Sequence, residues 1–403
     1  MKRLLSLLCA ALAMMFLFSA AVGEEIVIPE MDFIRQQPIP NNEAMTFLKN
    51  MGVGWNLGNT FEAVKDQWTA TRDEMFLETY WQKDTITEPL FDLLKDAGFS
   101  TVRIPVSWHD HIDADGVISE RWLSRVQQVV DWAMSKGLYV ILNAHHDVMT
   151  GVYYPSSEYY EASAAFTRGI WSQLAERFAG YDEHLIFEPI NEARQRDTDH
   201  EWSFDARNPD CLDAADCINR LNQLFVDTVR MSGGYNETRY LMIPGYATAP
   251  GPVLNDTFIL PEDDADNRLI VTVHTYIPYD FAQNTRSTLR DFEVRDMGIT
   301  QQIAQTMSSL YKKYIVNGIP VVVGEFGALN KNGNTQARVN YTAYATVAAA
   351  ARNIPVIWWD NNAVNGNGEN FGIIDRKNIT FYFPEIVETM IRFGGYDKIQ
   401  PQE

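Results

Sequence analysis

Apolar runs and helically spaced apolar positions alternate along most of this chain. Residues 52–59 open the pattern as a short strand whose glycines allow close backbone approach. Residues 85–97 then read as a helix, with Thr87 as cap ahead of Glu88-Pro89 and Gly98 as the stop. The rhythm continues with strands predicted over 99–105, 138–143, 184–190, 239–243, 268–273, 320–325 and 355–360. Helices are predicted between and after them, over 119–136, 156–178, 211–231, 300–316, 335–352 and 383–393. The pattern falters once. Residues 246–267 are rich in Pro and Asp, so the fifth helix is expected to be short or missing.

The strand runs are continuously apolar rather than alternating, the mark of a parallel sheet covered on both faces. Eight strand–helix units over more than ~250 residues match a single (β/α)8 TIM barrel of the α/β class. It is expected to occupy residues 51–397 as one catalytic domain, with residues 24–50, polar and Pro-containing, as a lead-in. No repeat, low-complexity tract or linker to a second domain interrupts it.

The first residues change that picture only by being removed from it. Lys2-Arg3, the apolar stretch 4–18 and Ala21-Val22-Gly23 have the build of a signal peptide over residues 1–23. The apolar part is too short for an ordinary membrane span. A secreted mature protein, with no part in a membrane, is the expectation. The chain of 403 residues carries a net charge of −20, the opposite of the basic footprint that nucleic acid or anionic lipid requires. An uncharged ligand and a monomer are expected. Cys9 leaves with the signal peptide; Cys211 and Cys217 remain as a disulfide candidate in an exported chain. Two Cys without ligand-spaced His do not make a zinc site, and no metal or cofactor is expected.

The candidate chemistry lies where apolar runs end. Ile186-Phe187-Glu188-Pro189-Ile190 runs into Asn191-Glu192, and Val321-Val322-Val323-Gly324 runs into Glu325. A carboxylate is costly to desolvate, so two at the tips of buried strands suggest one shared site. Arg103, His145, His274, Tyr276 and Trp359 also fall at or just past strand C-termini. In a βα barrel these tips meet on the face where active sites are built. Paired carboxylates without a metal motif suggest glycoside hydrolysis, in which one acts as acid and the other attacks carbon or activates water. A non-catalytic sugar-binding barrel would lack one of the two carboxylates. A metal-dependent hydrolase barrel would carry His-x-His at the first strand tip, where Trp55-Asn56 stands instead.

Six motifs in order carry a resemblance. They are Val102-Arg103-Ile104-Pro105, Asn143-Ala144-His145-His146, Asn191-Glu192, His274-Thr275-Tyr276, Gly324-Glu325-Phe326 and Trp358-Trp359-Asp360. With them the chain resembles glycoside hydrolase family 5, retaining β-glycanases on a TIM barrel, from Gly52 to about Phe393. Gly54-Trp55-Asn56-Leu57-Gly58-Asn59-Thr60 and Pro105-Val106-Ser107-Trp108 look like the bacterial subgroup of endoglucanases and xyloglucanases. The resemblance implies Glu192 as acid/base and Glu325 as nucleophile. It implies Arg103 and Tyr276 supporting the nucleophile, Asn191 bonding the sugar 2-hydroxyl, and His145 and His274 arranged around the cleaved residue. Trp55, Asn56, Trp108, His146, Trp358 and Trp359 are expected to touch substrate, with Trp359 rather than Trp358 facing the site. A β-glucan polysaccharide cut internally at β-1,4 bonds is the expected substrate, with xyloglucan, mannan and xylan as alternatives. One departure stands out: Ala193 follows the acid/base where the family usually has Pro.

Overall fold

The computed structural model describes residues 25–150 and 153–402, so the expected signal peptide lies outside the described residues. Eight parallel strands close into a barrel: β1 (Val53–Leu57), β2 (Thr101–Ile104), β3 (Tyr139–Asn143), β4 (Leu185–Glu188), β5 (Leu241–Pro244), β6 (Leu269–Thr275), β7 (Val321–Phe326) and β8 (Val356–Asp360). Each pairs with the next, and β8 returns to β1 with Val53 opposite Val356 and Leu57 opposite Asp360. Every residue of all eight is buried, which is why the runs read as continuously apolar. A short hairpin, β9 (Ile374–Asp375) with β10 (Thr380–Phe381), follows the barrel.

Ten helices accompany the strands among the described residues: α1 (Glu43–Met51), α2 (Pro89–Ala97), α3 (Glu120–Ser135), α4 (Tyr160–Arg177), α5 (Pro209–Arg230), α6 (Pro250–Leu254), α7 (Tyr279–Ala282), α8 (Met297–Lys313), α9 (Thr335–Ala350) and α10 (Pro384–Phe393). After β5 only the five-residue α6 forms, the shortfall expected from Pro and Asp in that segment. The lead-in, in contrast, is not simply a lead-in. Asn42 accepts a hydrogen bond from the Met45 N–H at 2.8 Å and starts α1, whose Met45, Phe47, Leu48 and Met51 are buried. Asn353 donates to the Met45 carbonyl at 2.9 Å, fastening α1 to the turn ahead of β8. This is the base of the barrel. There the segment ahead of α1 also meets the C-terminal residues: the Gln36 N–H donates to the Gln400 carbonyl at 2.9 Å, and the Tyr396 hydroxyl donates to the Gln37 carbonyl at 2.7 Å.

The expected bridge between Cys211 and Cys217 is corrected. Both thiols are free and buried, and both sit on α5. Residues six apart on a helix are separated by ~9 Å of rise, beyond the ~7 Å that a disulfide can span. No helix among the described residues is long and apolar enough to cross a membrane.

One irregularity in the barrel prepares the site. Val273 of β6 pairs with Val323 of β7, but His274 pairs with Glu325, so β7 holds an extra residue at Gly324. Bulges of this kind re-aim the side chains beside them. A Cβ on Gly324 would lie 3.0 Å from the Thr272 hydroxyl and 3.4 Å from the His274 ring, so only glycine fits without displacing them.

Candidate active site

The site grows from a buried cation. Arg103, near the end of β2, is fully buried and turns into the barrel. Its Nε donates to Glu188 Oε2 at 2.7 Å, Nη1 to Glu325 Oε1 at 2.8 Å and to Asn56 Oδ1 at 3.0 Å, and Nη2 to Asn191 Oδ1 at 2.9 Å. One planar guanidinium thus fixes acceptors from β1, β4, β7 and the segment after β4, a geometry that a lysine could not reproduce. With its oxygen turned to Arg103, Asn191 keeps its amide N–H groups for a substrate oxygen.

Glu325 is held through both oxygens, because Oε2 accepts from the Tyr276 hydroxyl at 2.9 Å. Burial, then the charges of Glu325 and Glu192, push the Tyr276 hydroxyl well above its ordinary pKa, so it remains a donor. His274 stands between the two glutamates, with Nδ1 2.8 Å from Glu192 Oε1 and 3.6 Å from Glu325 Oε2. One oxygen from each glutamate and this nitrogen all lie within 4.8 Å of one another. Among the described residues this trio is close enough to hold a metal ion. Its acceptors are already engaged, however, and the Arg103 cation lies 2.8 Å from Glu325, so the chemistry on offer is acid–base chemistry.

Burial raises the proton affinity of both glutamates. For Glu192 the hydrogen bond and charge of His274, followed by Arg194, outweigh it and leave the carboxyl below its ordinary pKa. For Glu325 burial prevails and the carboxyl ends above its ordinary value, although His274, Arg103 and Tyr276 all pull it down. His274 is raised: burial opposes its charge, but Glu325 and Glu192 favour it. His274 and Glu192 thus favour each other's charged forms. Glu325 takes its two hydrogen bonds from Arg103 and Tyr276, the first of which cannot give up its proton, whereas Glu192 faces a titratable imidazole.

His145 and His146 are both neutral. Burial, helped by the Arg103 charge, drives His145 well below its ordinary pKa, and burial brings His146 down to about 4. Asn143 lies 3.0 Å from His145 Nδ1 and donates to Glu188 at 3.1 Å. Neutral His145 accepts from that amide and keeps its Nε2–H as a donor. Its ring lies parallel to Trp359, centroids 5.7 Å apart.

The structure separates the remaining expected contacts. Asn56 and Trp359 are register partners, and Asn56 faces the barrel interior, so Trp359 is on the site side as expected. Trp55 and Trp358, the alternate pair, face outward and are wholly buried. Trp358 Nε1 donates to the Phe371 carbonyl at 3.0 Å, and the Trp55 ring carries the Arg376 guanidinium at 5.1 Å. Trp108 is equally buried, its Nε1 donating to the Asn143 carbonyl at 2.9 Å. These three are corrected from sugar platforms to packing residues. Asn56 is corrected too: both ends of its amide are taken, the nitrogen by the Gly324 carbonyl at 2.9 Å. His146 stays at the cleft, edge-on to Trp81. Sequence reasoning missed Glu188, Asn143 and Trp81, and also Arg194 and Trp202 on the loop after β4. Exposed rings near the strand tips include Trp202 at 63%, Tyr279 at 58% and Trp68 at 57%.

A family model described as Cellulase (glycosyl hydrolase family 5) matches residues 59–365. The chain belongs to glycoside hydrolase family 5. It is 40% identical over 357 residues to Endoglucanase 1 of Ruminococcus albus, covering 88% of this chain and 82% of that one. It is 34% identical to Endoglucanase A of Clostridium longisporum, covering 100% of this chain and 74% of the relative. Among solved structures, a family 5 lichenase from Caldicellulosiruptor sp. F32 superposes with a TM-score of 0.90 at 49% identity, covering 92% of this chain and 100% of that one. A GH5-4 broad specificity endoglucanase from Ruminococcus champanellensis, with bound cellotriose, superposes at 0.80 with 39% identity, covering 88% and 100%. Membership of family 5 makes this an endoglucanase-like glycoside hydrolase.

Proposed function

We propose that this chain is a secreted, retaining endo-β-1,4-glucanase acting on cellulose-type glucans through Glu192 and Glu325. The observation that carries the reading is the approach of the two carboxylates, oxygens within 4.8 Å of each other with His274 between them. Inverting enzymes hold their carboxyls ~6.5–9.5 Å apart to admit a water, retaining ones ~5–5.5 Å. One oxygen of each comes within 4.8 Å of the other, on the retaining side of that division.

In the first step a Glu325 oxygen bonds to the anomeric carbon while the glycosidic oxygen departs with the Glu192 proton. In the second, Glu192 takes a proton from water, the water oxygen bonds to the same carbon, and Glu325 leaves as carboxylate. Asn191 donates to the 2-hydroxyl, and Trp359 offers its face to the sugar. Export is supported by Lys2-Arg3, the apolar stretch after them and Ala21-Val22-Gly23. An internal cut is supported by the endoglucanase relatives and by exposed rings such as Trp202, which suit a long chain. The neighbours titled lichenase and broad specificity endoglucanase favour a second reading, in which mixed-linkage or branched β-glucans are also cut.

The test is proton NMR of the first-formed product together with product lengths from soluble polysaccharides. A β-anomer and a spread of oligosaccharides are expected. An α-anomer sinks the mechanism, and monosaccharide alone sinks the internal cut.

A further inference from the structure

Ala193 leaves a task undone. Proline restrains the backbone of the residue before it, and alanine does not. The next residue makes contacts that serve the same end. Arg194 Nη1 donates to the Glu192 carbonyl at 2.9 Å and lies 3.9 Å from the Glu192 carboxylate. Its Nε donates to Glu201 Oε1 at 3.1 Å, and the other Glu201 oxygen accepts from the Asp197 N–H at 3.2 Å. Its guanidinium carbon sits 4.1 Å from the centre of the Trp202 ring. The guanidinium is largely buried, whereas the ring is largely exposed. A cation clamped by a carboxylate on one side and an aromatic face on another is fixed in place, and desolvation strengthens both contacts.

We propose that Arg194 is a positioning residue for the acid/base: it anchors the Glu192 backbone in place of the usual proline, sets a fixed positive charge beside the carboxylate, and is itself held by Glu201 and Trp202. The inference rests on the proposed role of Glu192. The symmetry with the nucleophile is instructive, since Arg103 does the corresponding work for Glu325 from below. The other groups facing Glu192 are His274, Glu325, Tyr276, His146 and Glu369. Arg194 acts beside the stronger influence of His274 and in the same direction. Placed beside Glu192, it stabilises the carboxylate formed once the proton has gone to the departing sugar.

The test uses full-length Arg194→Gln and Arg194→Lys, with Trp202→Ala, read by titration alone, as a second route that removes the ring holding Arg194. The Glu192 carboxyl is titrated directly by carbon NMR, which requires no turnover. In Arg194→Gln its pKa is expected to rise by up to about 1 unit, since an arginine at this range shifts a carboxyl by ~1–3 units when fully effective. The basic limb of the polysaccharide kcat/KM profile should move up with it. Arg194→Lys should restore most of the pKa but not the rate, because it keeps the charge and loses the fork. Trp202→Ala should move the pKa in the same direction by less. An unchanged Glu192 pKa in both Arg194→Gln and Trp202→Ala overturns the proposal. An inverting wild-type enzyme overturns the mechanism proposed above and leaves this titration to decide Arg194 separately.

Discussion

Replacing Tyr276 with Phe removes one oxygen and little else. The ring stays packed against Phe371, centroids 5.4 Å apart, so the fold should be unaffected. What disappears is the donor 2.9 Å from Glu325 Oε2. A hydrogen bond to a charged group is worth ~1.5–3 kcal/mol, and each ~1.36 kcal/mol is a factor of ten in rate. A loss of about 10- to 150-fold in kcat/KM follows if the bond orients the nucleophile for attack. The pH profile adds a sign. In the proposed mechanism Glu325 attacks as the anion, and Tyr276 is one of the groups that favour the anion against burial. Without it the Glu325 pKa rises further, so the acid limb of kcat/KM moves to higher pH. The assay is kcat/KM on an aryl cellobioside across about pH 4 to 8, with thermal melting as the control for folding. A loss below roughly threefold with an unmoved acid limb would refute this account of Tyr276.

Two further predictions concern stability and thiols. Glu62, buried at the root of the loop after β1, accepts from the N–H groups of Asn59 and Thr60, and burial carries its pKa from 4.5 up to about 7. Its contribution is complete below 4.5 and is lost as pH rises through about 7, on the order of 3 kcal/mol, so Glu62→Gln should flatten the fall in melting temperature over that window. An unchanged slope would exclude Glu62 as its source. Thiol counting in denaturant should return two thiols on the mature chain with or without reductant; a count that needs reductant would restore the bridge between Cys211 and Cys217.

The barrel was legible because its strands are buried on both faces and end in polar residues. The run from Ile186 to Glu192 announced both a strand and a site. The same double burial hid which way each side chain points. On a half-buried sheet, alternation would have separated Trp358 from Trp359 and Trp55 from Asn56, but here both faces are apolar. Trp55, Trp108 and Trp358 therefore read as platforms and proved to be packing. Glu188 went unnoticed because nothing in sequence says that Arg103, 85 positions away, meets it inside the barrel. The helix α1 was obscured by the Pro-containing stretch ahead of it, although Asn42 and the spacing of Met45, Leu48 and Met51 were there to be read. The cysteine pair failed for a different reason: spacing along a chain carries no distance until the secondary structure is known.

The placement of the C-terminal residues at the barrel base has a practical meaning. Gln36 and Gln400 are hydrogen-bonded to each other at the end remote from the strand tips that carry Glu192 and Glu325. A tether, affinity tag or fused binding domain joined after Gln400 therefore points the cleft away from its anchor, whereas Val27, hydrogen-bonded to Gln336 at the start of α9, lies toward the strand tips. An enzyme immobilised through its C-terminal residues would present its mouth to the bulk liquid, where a dissolved polymer can thread across it. To work on a solid surface through the same attachment, it would need a linker long enough to fold back over the height of the barrel.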